Sequence, residues 1–327
     1  MLAFEDFAGQ SAHIAQLKSD FAGGAFVHAY LFSGPRGTGK RSVARLCAMA
    51  ALCRGEHKPC GACGPCRRVL SDTHPDVHTV VPEKGKQTIG VNVMRGVLEQ
   101  VGVKSFEDGA KAILIPDAER MTPAAQNCLL KTLEEPPENT VFFLITDQPG
   151  ALLATIVSRC RVIRFHPLTV EAAAERLATL GVPPAQAQRR ARMAEGCVGR
   201  ALEIDEAHLA LLESLTQDVF SVHRPGDVLP IVNQYKDDKE RQRLLLDLLE
   251  SAVRDILLAV AGGDWQHTEG LGAQAQAYAR AVPLAGALAL GAQVTQARRM
   301  TAGNVPFAAA FESVLLKISE EYARWPW

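Results

Sequence analysis

At 327 residues, 47% apolar and 22% charged, the chain has a soluble globular composition and enough length for two or three domains. A net charge of −1 supplies no global basic field, so any contact with DNA must be local or shared with partners. No apolar run approaches the roughly 20 residues of a membrane span and no signal peptide opens the chain. Cytoplasmic residence is therefore expected, and the eight cysteines suggest metal binding before disulfides.

The run Ala29-Tyr30-Leu31-Phe32-Ser33 predicts a short apolar strand. It feeds Gly34-Pro35-Arg36-Gly37-Thr38-Gly39-Lys40, the G-x-x-x-x-G-K core of a phosphate loop. Arg41 to Leu52 then reads as a helix with Val43, Leu46, Cys47 and Ala50 apolar. Gly34, Gly37 and Gly39 let backbone N–H groups close around a phosphate, and Lys40 would neutralise the terminal phosphates. The next position should carry a hydroxyl to hold Mg²⁺, yet it is Arg41. Ser42 follows, but one helical step turns its side chain away by roughly 100°. Without Mg²⁺ the loop remains a candidate for weak phosphate or nucleotide binding, since a helix N-terminus attracts anions by itself.

Cys53, Cys60, Cys63 and Cys66 follow with the spacing C-x6-C-x2-C-x2-C, and Gly61, Gly64 and Pro65 permit the tight turns that gather the sulfurs. A closed tetrahedral thiolate shell is the preference of structural Zn²⁺ and leaves no open catalytic position. The rivals are an iron–sulfur cluster, whose fourth cysteine would sit downstream rather than upstream, and a redox C-x-x-C. Cys47, Cys128 and Cys197 fall in apolar helical patterns and read as small buried hydrophobes.

Further strands are predicted over Val77–Val81, Ala112–Ile115 and Val141–Ile145, with helices over Val91–Gly102 and Pro123–Leu133. Strands alternating with helices imply an α/β domain with a mainly parallel sheet covered on both faces. His74 and His78, near the start of one strand, read as structural. From residue 168 the pattern becomes helical: Thr169 can cap a helix over Val170–Leu180, Gly181-Val182-Pro183-Pro184 breaks it, and a second runs from Ala185 to Glu195. Beyond Asp205 only helices are expected; Phe307, Phe311, Val314, Leu315, Ile318 and Tyr322 form one apolar stripe suited to a helix-bundle core.

Three stretches together resemble the bacterial clamp-loader subunits of DNA polymerase III, in the AAA+ class. They are His28 to Pro35 leading into the phosphate loop and the four cysteines, the segment Ala125 to Pro137 reading AQNCLLKTLEEPP, and Thr155-Ile156-Val157-Ser158-Arg159-Cys160. The likeness spans about residues 5 to 205, with the segments in the family's order. It implies an AAA+ P-loop domain over 1–167 with a zinc module at 53–66, a small helical lid over 168–206, and a helical oligomerisation collar over 207–327.

Within that family the choice lies between an ATP-hydrolysing motor subunit and one that does not hydrolyse. A working Walker B strand ends in Asp-Glu, the Asp for Mg²⁺ and the Glu for the attacking water. Here Ile115 is followed by Pro116 and Asp117, which have no metal ligand at the first position and a shorter carboxylate at the second. With Arg41, two metal-site groups are compromised, and the resemblance implies a non-hydrolysing subunit. It also implies that Arg159 acts in trans as an arginine finger toward ATP held by a neighbouring motor subunit. Thr146 and Arg200 fall where the family places its two sensor residues, and in an empty pocket both are expected to be structural. Glu134 and Glu135 read as a solvated helix end, Ser158 as a loop-orienting residue and Cys160 as packing. The implied partners are the motor (tau/gamma) subunits, the delta subunit and, through the complex, the sliding clamp and primed DNA.

Overall fold

The computed structural model describes residues 3–7, 11–106, 109–236, 239–268, 270–303 and 305–324. It divides into two compact units, Met1–Glu203 and Ile204–Trp327.

In the first unit the elements run α1 (Ser11–Ala22), β1 (Ala29–Ser33), α2 (Lys40–Leu52), α3 (Gly64–Leu70), β2 (Val77–Thr79), α4 (Val91–Gly102), β3 (Lys111–Ile115), α5 (Pro123–Glu134) and β4 (Thr140–Thr146). They continue with α6 (Ala154–Val157), β5 (Arg161–Arg164), α7 (Val170–Thr179), α8 (Pro184–Met193) and α9 (Val198–Glu203). Among the described residues the sheet has five strands, ordered β2-β3-β4-β1-β5, and each pairing is parallel. Every residue of β1, β3 and β4 is buried, as expected where helices cover both faces of a parallel sheet.

Side-chain alternation splits the strands between two cores. Tyr30, Phe32 and Phe143 face α1, α2 and α3, together with Phe21, Leu46 and Val69. Leu31, Phe142, Leu144 and Ile113 face α4, α5 and α6, with Met94, Leu129 and Ile156. The first core is rich in aromatic contacts: the Tyr30 and Phe143 rings stack 5.7 Å apart, and Phe165 lies 5.1 Å from Phe32. Because β1 is central, the loop after it lies at the carboxyl ends of the strands, where open α/β sheets place their ligands.

The caps agree with local sequence chemistry. The Thr122 hydroxyl accepts from Ala125 N–H at the start of α5, and the Thr169 hydroxyl accepts from Ala172 N–H at the start of α7, each at 3.2 Å. The helices α7 to α9 of the expected lid fall inside the first compact unit, and the second unit begins at Ile204, three residues before the expected start of the collar at 207.

In the second unit the described elements are helical: α10 (Glu206–Val219), α11 (Val228–Tyr235), α12 (Lys239–Gly262), α13 (Ala273–Ala281), α14 (Leu284–Ala302) and α15 (Phe307–Arg324), with short 3-10 turns. Phe307, Phe311, Val314, Leu315 and Ile318 of α15 are buried, and α15 packs on α11 and α14. Tyr322 is half-buried, and its hydroxyl donates to Phe220 O at 2.9 Å. Glu321, 1% exposed, breaks the apolar pattern and is neutralised by Lys317 at 2.8 Å.

Candidate functional site

The glycine loop joins β1 to α2, and protein packs against it on three sides. Gly37 has φ +83°, and a Cβ there would lie 2.5 Å from Arg200 N. Gly199 N–H donates to Gly37 O at 2.8 Å, so the first turn of α9 rests on the loop. Gly39, also left-handed at φ +89°, lies under the Phe7 ring: a Cβ would meet its Cε1 at 2.6 Å. Phe165 backs Gly34. Only glycine meets both demands here, an uncommon backbone conformation and contact at van der Waals range.

Lys40 opens α2 and is 7% exposed. Its ammonium donates to Gly34 O at 2.5 Å and to Pro35 O at 2.7 Å. Burial lowers its pKa from the ordinary lysine value, against the opposing pull of the Asp147 carboxylate. The cation is thus turned into the carbonyls of its own loop.

Arg41 is the residue that changes the chemistry. Its Nη2 lies 2.7 Å from Oδ2 of Asp117, the acid that follows β3. A nucleotide-hydrolysing site would have a hydroxyl at the first of these positions and a carboxylate at the second, with Mg²⁺ handled between the two sides. Here a guanidinium spans the gap. Asp117 is held at φ +55°, and its carbonyl accepts from Arg120 N–H at 2.9 Å. Pro116, directly after β3, adds no ligand.

The two residues expected at sensor positions, Thr146 and Arg200, make local contacts. Thr146 is 1% exposed and its hydroxyl accepts from Gln148 N–H at 2.9 Å. Arg200 lies over Gly37 and forms a loose ion pair with Glu195 at 3.7 Å.

Arg159 lies just beyond α6 and before β5, whose Arg161 pairs with Tyr30 near the start of β1, the end of that strand away from the glycine loop. Its Nη2 pairs with Oε1 of Glu134 at 2.6 Å and its Nη1 donates to Thr155 O at 3.0 Å. The side chain remains 35% exposed. Glu134 was expected as a solvated helix end. It is half exposed, but its carboxylate is committed to Arg159, because the last turn of α5 meets the residue after α6. Ser158 donates to Thr155 O at 3.1 Å, a turn-forming contact, while Cys160 packs against the core beneath α5. Gln126 joins these parts: 4% exposed, it donates to Met121 O and Ala151 O at 3.2 Å each and accepts from Leu153 N–H at 2.8 Å. Only a polar residue on the apolar side of a helix hints at that link in the residues themselves.

The four cysteines converge as their spacing suggested. Their sulfurs lie within 4.8 Å of one another, and Cys53 and Cys63 Sγ are 3.9 Å apart. A tetrahedral shell with metal–sulfur bonds near 2.3 Å requires edges of about 3.8 Å, so the donors fit one ion. Gly55 N–H and Cys60 N–H each donate to Cys53 Sγ at 3.3 Å, as such N–H groups do for metal-bound thiolates. The backbone N–H groups of Cys63 and Ala62 draw the Cys60 thiol down to about 6. Cys47 is buried in α2 and Cys128 half-buried in α5, whereas Cys197, expected in a helix, is buried in the connection just before α9. His74 is 4% exposed, with Nδ1 accepting from Asp76 N–H at 3.1 Å, and burial lowers the pKa of His78.

The sheet, the glycine loop at the end of β1 and the cysteine module after α2 define a P-loop α/β protein in which the arginine after the loop lysine pairs with the acid beyond β3. The family described as "DNA polymerase III, delta subunit" matches residues 9–169. The DNA polymerase III subunit delta-prime of Bacillus subtilis (strain 168) is 34% identical over 245 residues, covering 72% of this chain and 74% of that protein. The delta-prime subunit of Escherichia coli (strain K12) is 42% identical over 154 residues, 46% of each chain. A tau subunit of DNA polymerase III from Bacillus subtilis (strain 168) is 36% identical over 178 residues, 53% of this chain but 31% of tau. The chain belongs to the delta-prime family of bacterial DNA polymerase III subunits. Among the described residues no helix is long and apolar enough to cross a membrane.

Proposed function

We propose that this chain is a non-hydrolysing, delta-prime-like subunit of the bacterial DNA polymerase III clamp loader. In this reading it does not split ATP itself. It acts as a stator that presents Arg159 to the ATP of an adjacent motor (tau/gamma) subunit and supports the delta subunit while the assembly loads the sliding clamp onto primed DNA. The observation that carries the reading is the Arg41–Asp117 pair at 2.7 Å. A guanidinium there repels a divalent cation and consumes the carboxylate that would serve the attacking water, and the proline before Asp117 brings no replacement.

The glycine loop with Gly34, Gly37, Gly39 and Lys40 is then a retained scaffold whose lysine is held by loop carbonyls, with weak nucleotide affinity at most. Arg159 supports the trans role by its exposure and by its place before β5, at the end of the sheet away from its own chain's glycine loop. A guanidinium brought to a γ-phosphate stabilises charge spreading over the transferred oxygens. Cys53, Cys60, Cys63 and Cys66 would hold one structural Zn²⁺, which folds a loop too polar to form its own core. The helices of 168–206 serve as the lid and those of 207–327 as the oligomerisation collar, in a cytoplasmic assembly.

The test has two arms. The purified chain should turn over no Mg·ATP, and Lys40→Ala should leave that background unchanged. In the reconstituted loader, Arg159→Ala should preserve assembly and lower the ATPase rate by about 10³-fold, the lower end of what such fingers supply. Turnover by the lone chain that Lys40→Ala abolishes would make it a motor subunit instead.

A further inference from the structure

We propose that Glu134 is a positioning residue for Arg159, holding the guanidinium pre-aligned at the end of α5 for the phosphate of a neighbouring subunit. The inference rests on the finger role proposed above and deepens it.

The geometry separates the root of the arginine from its tip. At the root, Ile156 is buried, Val157 and Cys160 pack on the core that includes Leu129 and Leu133 of α5, and Arg159 N–H donates to Ile156 O at 3.1 Å. These contacts fix the backbone but leave a long side chain with several rotatable bonds. At the tip, Glu134 and Thr155 each take one N–H, at 2.6 and 3.0 Å. A guanidinium has five N–H donors in a rigid plane. Two are committed among the described residues, so three remain for an incoming anion on a group whose plane is already set. An unheld arginine would have to be ordered as the phosphate arrives, at a cost in rotamer entropy.

The placement of Glu134 is otherwise unfavourable. A carboxylate in the last turn of a helix faces the negative end of the helix dipole, and Lys131 is the only basic residue in that turn. Glu135 and Glu138 follow closely and add like charge. The Arg159 cation offsets this, so α5 and the finger loop are held together at one charged contact. Thr155 O is a backbone group that no side-chain change removes, which makes Glu134 the adjustable half of the clamp.

The experiment uses the reconstituted loader containing this chain, with ATP turnover measured for Glu134→Ala, Glu134→Gln, Arg159→Ala and the double variant Glu134→Ala/Arg159→Ala. Assembly of each is checked by co-elution. Glu134→Ala should lower kcat about tenfold with KM changed less than about twofold, as expected when only alignment at the reacting phosphate is lost. Glu134→Gln keeps an oxygen acceptor and should restore the rate to within about threefold of the parent. In the Arg159→Ala background, Glu134→Ala should add no further loss, because the group it aligns is gone. Rates that rise in both Glu134 variants, losses that multiply in the double variant, an unchanged Glu134→Ala rate or failed assembly would each overturn the proposal. If Arg159→Ala alone leaves turnover unchanged, the finger reading itself fails, an outcome distinct from those.

Discussion

Helix α2 begins in a loop whose charges pair with one another and ends in one that gathers four cysteines. At its N-terminus Lys40 bonds to loop carbonyls, and Arg41 closes onto Asp117 where a hydroxyl and a carboxylate would manage Mg²⁺. At its C-terminus Cys53 starts a set of four sulfurs within 4.8 Å of one another, with backbone N–H groups aimed at them. Both loops hold their shape through glycines and close backbone contacts. They differ in where the charge is balanced. The first balances it internally, cation to carbonyl and cation to carboxylate. The second gathers four groups that repel one another once ionised and so calls for a cation from outside. Retention of a loop's shape therefore says little about retention of its chemistry.

The largest effect expected from this contrast is at the cysteines. Replacing Cys60 and Cys63 by Ser should remove one bound metal atom per chain, measured by elemental analysis, and destabilise the first unit by more than about 4 kcal/mol. In a unit of this size that is a drop in Tm of roughly 10 °C, readable by calorimetry. Because metal competes with protons for the sulfurs, binding should weaken on acidification. In the metal-free module the Cys60 thiol, lowered to about 6, is ionised at neutral pH and takes up its proton as the pH falls through that value. A chelator-resistant metal at pH 7.5 that is released below pH 6 would fit. A chain that loses no metal in the double variant would erase the difference between the two ends of α2.

The next effect is at the glycine loop. Gly37→Ala puts a methyl 2.5 Å from Arg200 N in a backbone conformation that alanine resists. It should cost about 2–3 kcal/mol, seen in denaturant unfolding, and part the loop from α9. A loop built only to receive phosphate would tolerate the change in stability and lose affinity instead. If Gly37→Ala were neutral, the close packing of α9 on the loop would be wrong.

Much of this architecture is legible in the residues. The runs of β1, β3 and β4 are apolar throughout because both faces of the sheet are covered, and each lies within a residue of its expected span. The phosphate loop and the four cysteines follow from spacing alone, since local chain geometry gathers them. What depends on tertiary pairing is less visible. Strand β5 reads Arg161-Val162-Ile163-Arg164, with only Ile163 buried; as an edge strand it needs no continuous apolar run, and its Arg161 pairs instead with Asp20 at 2.6 Å. Helix α3 was hidden within the cysteine motif, where Gly64 and Pro65 suggested only a turn, although a proline is well tolerated in a first helical turn. The pairing of Glu134 with Arg159 spans 25 positions, and nothing local marks it.

The smallest effect tests the central claim most closely. The Arg41–Asp117 pair is largely solvent-exposed, at 62% and 41%, so Arg41→Ala should change stability by less than about 1 kcal/mol. Its value lies in what happens to nucleotide binding. If the guanidinium alone excluded Mg²⁺, Arg41→Ala would allow a Mg²⁺-dependent rise in affinity for a fluorescent ATP analogue. We expect none, because alanine brings no hydroxyl and Pro116 still brings no carboxylate. Arg41→Ser together with Pro116→Asp supplies both missing ligands, and that pair should show the Mg²⁺ dependence that the single change does not. Affinity gained by Arg41→Ala alone would mean the pocket is blocked by one cation; affinity gained only by the double change means two ligands have been lost, and the ion pair fills the place they left.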